Sequence, residues 1–275
     1  MLNETVMLHG TITLTETGAA RAILAVAGSG LAVSAARDLR QAREFGEGGA
    51  LAWSVVGAHP HRCPAVVRGL FVWERYRAVL AVQCAAGLAA PVVAALSTGG
   101  SAVLACLLLS TLLLGLHRSD FGTDGADQMA ALCLLTAAVT LITGGTVGRL
   151  CLAFLAGQLV LSYLIAGVAK AVSPMWRDGS CLAQILSTRA YGSPRVAAAL
   201  RARPHLGFLL AWGVMALEVT FWLTLVLPEA PRWGFLAAGA VMHLGIAVTM
   251  GLSTFVFAFT GAYPALLFTA AALTG

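Results

Sequence analysis

Charge is scarce in this 275-residue chain: 11% of the side chains are charged and 59% are hydrophobic. With a mean hydropathy of +0.86 the apolar surface exceeds what a water-soluble core hides, which excludes a soluble globule. Lysine is scarcer still, since Lys170 stands alone among 16 arginines. The six cysteines, Cys63, Cys84, Cys106, Cys133, Cys151 and Cys181, contain no CxxC pair. There is no internal repeat and no low-complexity segment, which excludes an array or a disordered linker protein. Residues 1–17 form a polar tail without a basic residue before the first apolar run, so no cleaved signal peptide is expected. The net charge of +5 is modest and its arginines fall between apolar stretches, so nucleic acid is not an expected partner.

What is present is a series of apolar stretches. Crossing ~30 Å of hydrocarbon takes about 20 mostly apolar residues in a helix. Such runs fall at 19–36, 78–97, 101–117, 127–144, 149–170, 206–227, 233–251 and 254–273. They predict one all-α, polytopic, multi-pass bundle of about eight transmembrane helices in the cell membrane, surrounded by membrane lipids, with no separate soluble domain. The first run is short of large side chains and carries Arg21 near its start, which also fits a half-buried helix.

Two connections are long, 37–77 and 171–205, and such loops in a compact bundle are functional or interfacial. In the second, Ser180 is placed to cap a short helix with Cys181, Leu182, Ile185 and Leu186 on one face, and Ser193-Pro194 starts another. Both read as helices lying flat on the membrane. One side of the bundle collects nearly all the basic residues, and the other keeps Arg21, Arg149 and Arg232. The positive-inside rule would make the crowded face cytoplasmic.

Ionisable groups inside a bilayer cost at least ~2.5–3.5 kcal/mol at its centre and so point to a site. Glu218 lies mid-span in WGVMALEVTFW, His243 lies in AAGAVMHLGIAVTMG, and Lys170 ends the fifth span. For the first two the plain alternative is an interhelical hydrogen bond; for Lys170 it is an ammonium snorkelling to the headgroups. Gln158, Ser162, Ala166 and Lys170 recur every four residues and Tyr163 precedes the lysine by seven, which predicts a polar stripe facing the interior. Of the two cationic side chains only an ammonium gives up its proton on burial, so a lone lysine among arginines fits a general base.

The connection HRSDFGTDGADQM at 117–129 gathers His117, Asp120, Asp124 and Asp127. Carboxylates with a histidine suit a hard divalent cation, but the run is not a D-x-[DN]-x-[DN]-G loop, and Asp127 reads as the capped start of the fourth span. No metal ligand set is assigned. Four cysteines lie in or beside spans as packing groups, whereas Cys63 and Cys181 share one side and form a disulfide if that side is extracytoplasmic.

The segment YLIAGVAKAVSPMW, Tyr163 to Trp176, resembles the catalytic-lysine segment of the vitamin K-dependent gamma-glutamyl carboxylases and of the wider HTTM (horizontally transferred transmembrane) domain family. There a tyrosine, an Ile-Ala-Gly run, a lysine and a tryptophan close a transmembrane helix; the matching positions are Tyr163, Ile165, Ala166, Gly167, Lys170 and Trp176. His243 followed by Met250, Gly251 and Phe255 is similar to the family's late histidine helix, and weaker similarity covers Gly49–Trp53 and Glu218. The carboxylase's Asn-Asn-His at the start of span four is replaced here by Gly125, Ala126 and Asp127, and the chain ends after span eight. The short form looks more like bacterial membrane proteins that mature a sporulation-delaying peptide toxin.

The resemblance implies a base that deprotonates a reduced quinone, vitamin K or menaquinol, ahead of carboxylation of a glutamate side chain. It also implies a lysine on the extracytoplasmic face with a cytoplasmic N-terminus, opposite to the charge rule. The candidate catalytic set is thus Lys170, His243, Glu218 and Tyr163, and the candidate substrate-binding set is His117, Asp124, Asp127, Gln158 and Trp176. The leading expectation is an enzyme that modifies or matures a secreted peptide in a membrane cavity. Beside it stand a non-catalytic binding or export partner for a peptide toxin or quinone, and a transporter using Glu218 and His243 as a proton path, against which the absence of repeated halves counts.

Overall fold

The computed structural model describes residues 14–46, 48–56, 69–96, 100–118, 124–189 and 192–274. Among them are eight helices long and apolar enough to cross a membrane, and no strand. These are α1 (Glu16–Arg40), α2 (Trp73–Leu96), α3 (Gly100–Arg118), α4 (Gly125–Thr143) and α5 (Gly145–Val172). After them come α6 (Pro204–Thr220), continued by a 3-10 turn at Phe221–Leu225, α7 (Glu229–Met250) and α8 (Ser253–Thr274), which breaks at Ala262. The protein is therefore an integral, multi-pass membrane protein of all-α architecture. Its outer surface fits that medium: Ile142, Leu150 and Val248 are 79%, 64% and 76% exposed, and lipid receives such side chains without cost.

The half-buried alternative for the first span is corrected by its packing. α1 is the inner helix of the bundle, against α2, α4 and both halves of α8, with Ala19, Ala20, Ile23, Leu24 and Ala27 all buried. Its small side chains are the reason. A methyl added at Gly28 would stand 2.5 Å from Ala90 Cβ, and one at Gly87 of α2 would stand 2.9 Å from the Ala32 backbone nitrogen. Helices in lipid gain little from the hydrophobic effect between one another, so close backbone approach through small residues holds them together. Thr15 starts α1, its hydroxyl accepting from the Gly18 amide at 3.0 Å.

Two tight reversals fold the second half of the chain. Gly144 and Gly145 take positive φ of 56° and 60° between α4 and α5, and Gly251, at φ 74°, turns α7 into α8. Such backbone favours glycine. α5 is the spine of this half and packs on α4, α6 and the second part of α8. Its buried face is Leu152, Leu155, Ala156, Leu159, Tyr163 and Gly167. This corrects the expected stripe: Gln158, Ser162, Ala166 and Lys170 sit half-buried along its edge, and the Ser162 hydroxyl is spent on the Gln158 carbonyl of its own helix at 2.8 Å. Tyr163, one residue round from Ser162, is the member of that region that faces inward.

Connection 171–205 forms short helices at Pro174–Arg177, Cys181–Ile185 and Pro194–Ala202. Cys181 and Leu186 are buried as the apolar face requires, and Leu186 packs with Ala197 and Leu200. Ser180 does not cap with its side chain; its hydroxyl accepts instead from Gln184 Nε2 at 3.0 Å, and its amide donates to Asp178 at 2.8 Å. Ser193 likewise makes no capping bond, while Pro194 takes the permitted first position. Cys63 lies outside the described residues, and with it the expected Cys63–Cys181 disulfide.

The 174–179 segment is laid along the start of α6. Gly179, at φ 80°, leaves room for the Phe208 backbone, and Trp212 Nε1 donates to the Arg177 carbonyl at 3.1 Å. α6 thus descends antiparallel beside α5, and Gly167 marks the closest approach, where a methyl would stand 2.8 Å from Val219 N and 2.9 Å from Glu218 Cβ. Gly167→Val is expected to lower stability by ~1–3 kcal/mol, as for overpacking of a tight interior. Gly157→Ala, with nothing within 4 Å of the added carbon, is expected to be neutral or slightly stabilising. Thermal unfolding of both variants in the same detergent checks the contrast.

Candidate functional site

The α5–α6 crossing brings two groups together that lie 48 positions apart. Lys170 Nζ donates to both carboxylate oxygens of Glu218, at 2.9 and 2.8 Å. The Glu218 side chain is 7% exposed and that of Lys170 22%, so the carboxylate is inside and the ammonium reaches it from the rim. Trp176, carried back by the turn after α5, stands with its ring centroid 5.2 Å from Nζ. A cation beside an indole face gains electrostatically, and more so where water is scarce. Lys170, Glu218 and Trp176 thus form one cluster.

A second polar layer lies deeper. Tyr163 is seven residues before Lys170, or about 10 Å along the helix. Its hydroxyl is 2.9 Å from His243 Nε2 on α7 and 3.4 Å from the Tyr263 hydroxyl on α8. The direction of the first bond depends on the imidazole tautomer. Aromatic rings enclose the group: Phe221 stacks on Tyr163 at 3.8 Å, Phe259 on His243 at 4.4 Å, and Phe255 lies 6.2 Å from His243 and 5.8 Å from Phe259. Gly239, one turn before His243, makes space for both phenols, since a methyl there would stand 2.6 Å from Tyr263 Oη and 2.9 Å from Tyr163 Oη. His243 Nδ1 is buried with no hydrogen-bond partner among the described residues. A buried polar atom left unpaired calls for a reason.

Other expected members lie elsewhere. His117 is 1% exposed in an aromatic cluster at the end of α3, stacked on Tyr76 at 4.2 Å with Phe71, Trp53 and Phe45 around it. Asp124 is the N-cap of α4, its carboxylate accepting from the Ala126 and Asp127 amides at 2.9 Å each, and Asp127 sits in that first turn. Gln158 stays half-buried on the edge of α5. None of these joins the Lys170 cluster. Outside the spans, the hydroxyl and amide of Ser180 hold the exposed Asp178 carboxyl below the usual carboxylate range, and burial pushes the Cys181 thiol up.

Sequence reasoning missed Tyr263, Gly239 and Arg232. Tyr263 announces itself only as a phenol after the Gly261-Ala262 break of α8. Arg232, read as a loop charge, is 6% exposed, and its guanidinium donates to the Thr224 and Leu227 carbonyls at 3.0 and 2.7 Å. It satisfies the carbonyls that the 3-10 end of α6 leaves open.

Comparison of the chain with protein-family models, with curated proteins and with solved structures finds no match. Tyr163→Phe strands His243 Nε2, and the expected cost is ~1–3 kcal/mol, the penalty for an unpaired buried group. Tyr263→Phe, which removes only a 3.4 Å contact, is expected to cost less. Thermal midpoints in detergent, wild type against each variant, measure both.

Proposed function

We propose that this protein is an HTTM-like membrane enzyme that modifies or matures a secreted peptide, with Lys170 as general base and Glu218 as the group that takes up the proton of the resting ammonium. The carrying observation is the two-pronged contact of Lys170 Nζ with Glu218 at 2.9 and 2.8 Å. In the charged form the pair is ammonium and carboxylate. Moving one proton from Nζ to the carboxylate leaves a neutral amine beside a neutral acid, and the amine then takes a proton from a bound substrate. Taking that proton restores the ammonium, and the acid proton of Glu218 then passes to water at the exposed rim, which returns the pair to ammonium and carboxylate. General bases act from within hydrogen-bond reach of the proton they remove, and the 22% exposed rim position of Lys170 gives that reach.

Tyr163, His243 and Tyr263 supply a second set of proton-bearing groups below the base. An orphaned imidazole nitrogen beside Phe255 and Phe259 suits an aromatic ring carrying a hydroxyl, the chemistry of a reduced quinone. When bound, such a quinol would supply an acidic hydroxyl; His243 would orient it and Lys170 would hold its proton.

A second reading has its own support. The two charges satisfy each other beside the closest approach of α5 and α6, as a clamp would in a non-catalytic binding or export partner. Arginine separates the two, because guanidinium keeps a carboxylate bidentately but does not release a proton. Lys170→Arg is expected to leave the amount of folded protein unchanged and to reduce the modified peptide by about 10²-fold or more. Mass spectrometry of secreted peptides from cells with and without the protein reads the product. Product retained in the arginine variant removes the base role and leaves the clamp. Lys170→Ala is expected to destabilise the fold by ~3–5 kcal/mol by stranding Glu218, and the paired change Lys170→Met with Glu218→Leu to restore folded protein without product.

A further inference from the structure

At the same end of the bundle as Lys170, the last turns of α1 and the first of α8 frame an open depression of about 440 Å³. Val33, Ala36, Arg37, Arg40, Gln41 and Ser253 line it. The lining is graded along α1. Val33, 41% exposed, and Ala36 make the lower wall apolar, and Arg37 and Arg40 make the upper rim cationic one and two turns on. Arg37 is held in place: its guanidinium donates to the Gly251 carbonyl at 3.4 Å and lies 3.8 Å from Asp38. Arg40 is exposed, and no described residue pairs with it. Ser253 is the first residue of α8, and no side chain caps that helix start.

A cleft whose floor is apolar and whose rim carries two guanidinium groups, at the end of a membrane-spanning helix, has the polarity of a phospholipid placed head up. We infer that it binds an anionic membrane lipid, with Arg40 and Arg37 on the lipid phosphate and the acyl chains descending past Ala36 and Val33. Guanidinium forks match phosphate oxygens, and basic pockets between transmembrane helices recognise charged headgroups in this way. A zwitterionic choline lipid offers the same phosphate with a cation attached, which the arginines repel. The depression is independent of the Lys170–Glu218 chemistry.

Native mass spectrometry of the full chain in detergent, with phosphatidylglycerol, phosphatidylcholine or inorganic phosphate added in turn, tests this. The expected result is preferential retention of phosphatidylglycerol, falling about fivefold in Arg40→Gln and by a similar further factor in the Arg37→Gln/Arg40→Gln double variant. Arg40 is exposed at a helix end, so its single variant keeps the fold and carries the decision. Equal retention of the two lipids, or undiminished retention by Arg40→Gln, overturns the assignment. Displacement of the lipid by millimolar inorganic phosphate overturns it in favour of a soluble phosphate ligand.

Discussion

The candidate site depends on one close helix crossing. Because Gly167 has no side chain, the backbone of α6 lies against α5 at Val219 and Glu218, and only at that separation does the short glutamate side chain meet Lys170. The crossing is held open to no other register: Gly179 seats the Phe208 backbone above it, and Phe221 stacks on Tyr163 below it. An ion pair in a low-dielectric surrounding is costly to assemble and costlier to break, so its geometry has to be imposed by packing. Here the packing comes first and the pair follows from it.

The rest of the bundle follows the same logic of small residues at crossings and polar groups consumed in pairs. α1 passes through the centre on alanine and glycine contacts, which leaves the large apolar side chains free to face lipid. Polar groups inside the spans are used locally where they can be, as with Ser162 on the Gln158 carbonyl or Thr269 on the Ala265 carbonyl. Some reach between helices, as Gln83 does to Thr111 between α2 and α3, but the largest group of them, Lys170 with Glu218 and Tyr163 with His243 and Tyr263, gathers on one side of α5. That concentration, together with an unpaired Nδ1 on His243, is what separates a site from scattered structural hydrogen bonds.

Much of this was legible in the chain. Eight apolar runs correspond to eight spanning helices, since a length of about 20 apolar residues is a local property that needs no partner. Lys170, Glu218, His243 and Tyr163 stood out singly because each is a costly group in an apolar run. Their pairing was not legible, because sequence spacing says nothing of which faces of α5, α6 and α7 meet. The four-residue stripe through Gln158 and Ser162 pointed one position away from the buried face, since polarity marked it while the apolar residues Leu155, Leu159 and Gly167 set the packing. His117 shares a loop with three aspartates, which suggests one group, yet its ring packs with aromatics from four other segments.

The sequence by itself determined the medium, the number of spans, the punctuation by Gly144, Gly145 and Gly251, and the short roll of residues expensive enough to mean something. Only the tertiary structure decided that α1 is the inner helix, that Tyr263 joins Tyr163 and His243, and that Lys170 meets Glu218. The reason is physical: hydropathy, turn conformation and the cost of burial belong to individual residues. Which residues share a burial site is set by helix crossings, and those arise from steric fits between glycines and side chains far apart along the chain.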